Sequence, residues 1–231
     1  GRPAVTADLT ADVTEAADLA LPVMLHDQPR APNPRRLNIA LAEKGIDPPR
    51  TVVDLMAGEH RAEGYLARIG IAQVPALELS DGTVLTESVA ITRYLDALVP
   101  EPNLTGRTLR EAAEIEMWQR RVEFGLFAAV AVCFRHTNRH LAVLEDQVAE
   151  WGEINRGRIR PRLEALDARL DGRDWIAADR LTVADITALV AVEFLRIVKE
   201  PLPGTTPGDL PHLAAWLGRM QARPSARAGM E

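Results

Sequence analysis

The stretch QVPALELSDGTVLTESVAI, Gln73 to Ile91, decides the fold. Leu77 and Leu79 alternate with Ala76 and Glu78, the period-2 pattern of a half-buried strand. Ser80-Asp81-Gly82 supplies turn chemistry, because Asp and Gly tolerate the backbone angles of a tight hairpin. Thr83-Val84-Leu85 reads as the returning strand. Ile91, Leu95 and Leu98 then recur at helical spacing, which predicts a helix from Glu87. Pro75 before the first strand and the Glu87-Ser88 pair after the second have no purely architectural reason.

Working outward, PVMLH (Pro22 to His26) predicts a strand, and Leu37, Ala40 and Leu41 a helix closed by Gly45. Thr51 to Val53 reads as a second strand and Arg61 to Ile69 as a short helix. The order is β-α-β-α-β-β-α over residues 22–100, an α/β sandwich. Pro100 to Asn103 opens a linker over residues 101–106. Residues 107–231 carry no strand pattern. Leu163, Leu166 and Leu170 keep helical spacing, Thr182 and Asp185 form a capping box before an apolar helix through Leu195, and this part reads as all-α. Residues 1–21 form an extension with one or two helical turns and no visible signal peptide.

Composition narrows the function. The chain has 231 residues, 47% hydrophobic and 26% charged, as in an ordinary globule. A net charge of -6 argues against nucleic acid and anionic membranes as partners. The longest notable uncharged run, Phe124 to Phe134, is too short to span a bilayer. Cys133 stands alone, so no intrachain disulfide forms and a reducing, cytoplasmic setting is expected. Its apolar neighbours make it a core residue, not a nucleophile. No His, Cys and Asp cluster has metal-ligand spacing, so no metal is expected. Lysine is scarce among the 27 basic residues, only Lys44 and Lys199, which hints at a GC-rich bacterial genome.

Four motifs in order, Val74-Pro75, Glu87-Ser88, LTVADI (Leu181 to Ile186) and PHLAAWLGRM near the carboxyl end, resemble the cytosolic glutathione transferases, in particular bacterial nu- and theta-like members. The resemblance covers roughly Pro22 to Ala228. It implies a thioredoxin-like domain followed by a helical bundle, glutathione as substrate, a homodimer and a role in detoxification. The reaction it implies is attack of the glutathione thiolate on a small electrophile or a disulfide; a relative that binds glutathione or a protein without catalysis is the alternative.

The resemblance also assigns residues. A cis-proline turn at Val74-Pro75 presents the Val74 backbone to the cysteinyl backbone of glutathione. Ser88, at a helix start where free N–H groups favour an anion, holds the γ-glutamyl carboxylate, and Glu87 the ammonium. Ser88 as a plain helix cap is the competing reading. His60 in GEHR takes the glycine carboxylate, with Arg61 beside it, while Gln73 stands where many relatives carry lysine. The nu-like segment APNPRR makes Asn33 the thiolate contact. Asn33-Pro34 also reads as an N-cap with proline at N1, and backbone amides near Arg35 and Arg36 are the other holders of the sulfur. Phe127 and Ala131 are expected to line the second-substrate site.

Overall fold

Four short strands form one mixed sheet in the order β2-β1-β3-β4. In this computed structural model, which describes residues 20–230, β1 is Pro22–Asp27, β2 Arg50–Val52, β3 Ala76–Leu79 and β4 Val84–Thr86. β1 runs parallel to β2 and antiparallel to β3, and β3 pairs antiparallel with β4. Helices α1 (Pro32–Lys44), α2 (Glu63–Ile69) and α3 (Ser88–Leu98) complete the amino-terminal domain. The extension expected over residues 1–21 lies, but for Ala20 and Leu21, outside the described residues.

Boundaries shift by a residue or two from the sequence reading. β2 begins at Arg50 and ends at Val52, and the buried Val53 beyond it still donates its N–H to Asp27 O at 2.7 Å. The short helix divides into a 3-10 turn at Glu59–Arg61 and α2 from Glu63. Helix α3 begins at Ser88, with Glu87 as its non-helical flank.

Beyond the linker, α4 (Leu109–Arg121) passes through a π-helical segment, Val122–Phe127, into α5 (Ala128–Thr137). Then follow α6 (Ala149–Arg169), α7 (Val183–Phe194) and α8 (Pro211–Gln221). The expected capping box opens α7. Asp185 is fully buried there and accepts from Thr182 N, Ile176 N and Trp216 Nε1, each at 3.0 Å. Those donors keep a buried carboxyl satisfied. Cys133 is fully buried on α5, and burial raises its thiol pKa, as a packing role requires.

Helix α1 joins the two halves. Leu37 and Leu41 pack with Leu25, Leu77, Ile91 and Leu95 against the sheet. Ile39 and Ala40, on another face of the same helix, belong to the core of the helical domain. Each fully buried leucine contributes about 1.5–3 kcal/mol, so α1 is held from both sides. Its amino-terminal turn is thereby fixed where the domains meet.

Candidate active site

Asn33, Gln73, Val74, Pro75, Thr86, Glu87 and Ser88 line one cleft. Six of the nine residues named from the sequence are therefore brought together. The Val74-Pro75 peptide is cis. Val74 sits just outside the β3 ladder, and its N–H and C=O are free of backbone hydrogen bonds among the described residues. A strand-like donor and acceptor thus remain open. Gln73 is exposed, and its carbonyl accepts from the Tyr65 hydroxyl at 2.6 Å. Burial pushes the Tyr65 phenol up to about 12, so it stays protonated and keeps donating.

Across the cleft, Glu87 adopts φ 66° and ψ 110°, a left-handed conformation that costs a non-glycine residue on the order of 1–3 kcal/mol. The bend turns the chain from β4 into α3 and leaves the Glu87 side chain exposed. Ser88 follows at the first helical position. It is 2% exposed, and its Oγ has no hydrogen-bond partner among the described residues. The capping alternative fails, because this hydroxyl caps nothing. A buried, unpaired hydroxyl at a helix N-terminus is poised for an acceptor.

Asn33 is not the N-cap. Ala31 takes that place with Pro32 at N1, so Asn33 is the second helical residue and Pro34 the third. Both prolines lack an N–H, and the Arg35 N–H already donates to Ala31 O at 3.0 Å. Within this turn the backbone donor left free among the described residues is that of Asn33 itself, which removes the amide of Arg35 as an alternative. The Asn33 side chain is oriented by Arg36, whose Nη2 donates to Oδ1 at 2.6 Å. Arginine has no acceptor, so the amide oxygen must face the guanidinium and the NH₂ is left for the cleft.

Arg36, 5% exposed, is itself anchored by the helical domain. Its Nη1 donates to Glu123 Oε1 at 2.8 Å, and its guanidinium lies 4.4 Å from the Phe127 ring centroid. Burial lowers the Arg36 pKa, with Glu123 opposing that fall. Neither the role of the Arg36 side chain nor that of Glu123 was apparent from the sequence, since 87 positions separate them.

Three candidates fall elsewhere. His60 is buried at 7% exposure on the 3-10 turn, outside the cleft lining. Burial and then Arg61 pull its pKa down, which favours the neutral imidazole. The Arg61 guanidinium reaches the Leu144 carbonyl at 2.7 Å instead. Phe127 is 9% exposed and packs in the helical core beneath Arg36. Ala131 is half-buried on α5 and does not line the cleft. Thr86, missed from the sequence, lines it because β4 ends there, directly before Glu87. Among the described residues no cluster suited to a metal ion exists, and no helix is long and apolar enough to cross a membrane.

Comparison with known proteins agrees with this geometry. Residues 31–98 match the family model for the glutathione S-transferase N-terminal domain, and residues 127–224 that for the C-terminal domain. Glutathione S-transferase 2 of Saccharomyces cerevisiae is 37% identical over 213 residues, 90% of either chain. A glutathione S-transferase domain-containing protein from Marinobacter aquaeolei superposes with a TM-score of 0.82 at 39% identity, covering 88% of this chain and 100% of that one. The Gtt2 structure from Saccharomyces cerevisiae gives 0.81 at 37% identity, covering 90% and 100%. With both domains matched in sequence and the sheet, cleft and bundle in the expected order, the chain belongs to the glutathione S-transferase family.

Proposed function

We propose that the cleft binds glutathione and that Asn33 stabilises its thiolate for attack on a small electrophile. The observation that carries this reading is the unpartnered, buried Ser88 hydroxyl facing the same cleft as the open Val74 backbone and the Asn33 amide. Ser88 and the α3 N-terminus hold the γ-glutamyl carboxylate, exposed Glu87 takes the ammonium, and Val74 pairs with the cysteinyl backbone. The glycine end lies toward exposed Gln73, not at buried His60.

A free thiol with pKa of about 8.5 is only a few per cent ionised at pH 7. Two donors of Asn33, its NH₂ and its N–H at the α1 N-terminus, favour the anion. The thiolate sulfur then forms a bond to an electrophilic carbon as the leaving group departs with its electron pair. With a disulfide, the sulfur attacks one sulfur and expels the other as thiolate. Homodimer formation, a cytoplasmic location and a role in detoxification follow from the same family reading.

The test is a melting-temperature titration with glutathione, paired with rates toward 1-chloro-2,4-dinitrobenzene and 2-hydroxyethyl disulfide. Stabilisation that rises with glutathione and a rate toward either probe are expected. Absence of a thermal shift at millimolar glutathione would overturn the reading.

A further inference from the structure

Helix α2 lies on the face of the sheet that carries His26 and Glu78. Glu78 on β3 accepts from Arg68 Nη2 at 2.7 Å, and its other oxygen lies 2.6 Å from Arg68 Nε. His26 Nε2 on β1 pairs with the same carboxylate. A ring nitrogen that faces a carboxylate carries the hydrogen. The Tyr65 ring stands edge-on to that imidazole, with centroids 5.8 Å apart and planes at 88°. Tyr65 and Arg68, three residues apart, share the helix face turned to the sheet. Tyr65 is half-buried there, and its hydroxyl donates to the Gln73 carbonyl at 2.6 Å.

The segment after α2 has little else to hold it. From Gly70 to Pro75 the backbone hydrogen bonds among the described residues are Gly70 N to Leu66 O at 2.8 Å and Gln73 N to Ile71 O at 2.9 Å. The Tyr65 hydroxyl is the donor that reaches the Gln73 carbonyl from outside this loop.

That bond matters because of what shares its peptide. The Gln73 carbonyl and the Val74 N–H belong to one planar trans unit, and the cis bond comes at the next one, Val74-Pro75. In a trans peptide the C=O and N–H point in opposite directions, so fixing one end aims the other. A carbonyl that accepts a hydrogen bond also polarises its N–H, which makes the N–H a stronger donor. Gln73, Val74 and Pro75 line the cleft, whereas Tyr65 stands outside that lining.

We propose that Tyr65 is a positioning residue for glutathione: its hydroxyl, acting through the Gln73-Val74 peptide, aims the N–H that pairs with the cysteinyl carbonyl. This inference rests on the pairing of Val74 with the cysteinyl backbone proposed above, and adds the residue that sets its strength.

Tyr65→Phe tests it, because the ring stays against His26 and the hydroxyl alone is lost. Calorimetric titration should show an affinity for glutathione lower by about three- to tenfold, the effect of one ordinary hydrogen bond. In turnover of the same probes, KM for glutathione should rise by that factor. The kcat and the thiolate titration near 240 nm should stay parental, since the sulfur is held at Asn33. In amide NMR spectra, glutathione should move the Val74 proton downfield in the parent and less in the variant. A parent that binds no glutathione would remove the reading on which this rests, and the role of Tyr65 with it. With a parent that binds, the role of Tyr65 alone would be overturned by an unchanged affinity, by a Val74 amide that responds equally in both proteins, or by a shifted thiolate titration with parental KM. A fall in melting temperature with parental KM would make Tyr65 purely structural, which also overturns it.

Discussion

Arg36 Nη2 donates to Asn33 Oδ1 at 2.6 Å, and this bond decides which end of the asparagine amide meets the cleft. The arginine is held in turn by Glu123 and Phe127, so the helical domain aims a side chain of the sheet domain. Chemistry at Asn33 therefore depends on contacts between the two domains.

Asn33→Asp and Asn33→Ala should separate donor from anchor. The carboxylate of Asn33→Asp still accepts from Arg36, so the melting temperature should hold. It removes the NH₂ and places a negative charge beside the sulfur, which raises the thiol pKa. Each unit of rise cuts the thiolate fraction roughly tenfold at pH 7. Asn33→Ala loses the Arg36 bond as well, at a cost of about 1–2 kcal/mol, because a hydrogen bond to a charged group contributes at the low end for a half-exposed partner. Both rates should fall. Parental activity and an unchanged thiolate titration near 240 nm in Asn33→Asp would remove Asn33 from the mechanism.

Ser88→Ala reads the anion end. The parent hydroxyl is buried without a partner, so its removal should leave the unliganded melting temperature unchanged or higher. Glutathione affinity should nevertheless drop tenfold or more, since a charge-assisted hydrogen bond contributes about 1.5–3 kcal/mol. A stability loss with unchanged affinity would make Ser88 structural.

Glu87→Gly should exchange binding for stability. Glycine has no Cβ to oppose φ 66°, so relief of the strain should raise the unliganded stability by about 1 kcal/mol, net of glycine's greater entropy. The ammonium partner disappears, and glutathione should bind several-fold more weakly. A lower melting temperature in the variant would show that Glu87 is kept for architecture.

Much of this was legible because local patterns fix it. The Leu77-Leu79 alternation, the Gly82 turn and the Thr182-Asp185 box each depend on residues close in sequence. The start of α1 was not, because Pro32 and Pro34 are both good first-turn residues two positions apart. The direction of Phe127 was not legible for a different reason. The π-helical segment Val122–Phe127 inserts extra residue into the turn, so the 3.6-residue phase fails across it. The Arg36–Glu123 pair and the burial of His60 arise from long-range packing, which no short window of sequence records.

The linker supplies the last prediction. Glu111 on α4 accepts from Arg180 Nη1 and Nη2 at 2.5 and 2.9 Å and from the Arg107 N–H at 2.6 Å. Arg180, followed by Arg107, holds its carboxyl down to about 2, below the ordinary 4.5. Since the folded-state pKa is depressed, the contribution to stability is complete above pH 4.5 and is lost as pH falls toward 2. Glu111→Gln should cost on the order of 1–2 kcal/mol at pH 7, the low end for charge-assisted bonds with a side chain one-quarter exposed. Urea unfolding of parent and variant at pH 7, 5, 4 and 3 measures the gap. It should be constant from pH 7 to 5 and narrow below that, because the parent alone must surrender an ion pair to the added protons. A gap that stays constant or widens in acid would show that Arg180 gains nothing from the Glu111 charge.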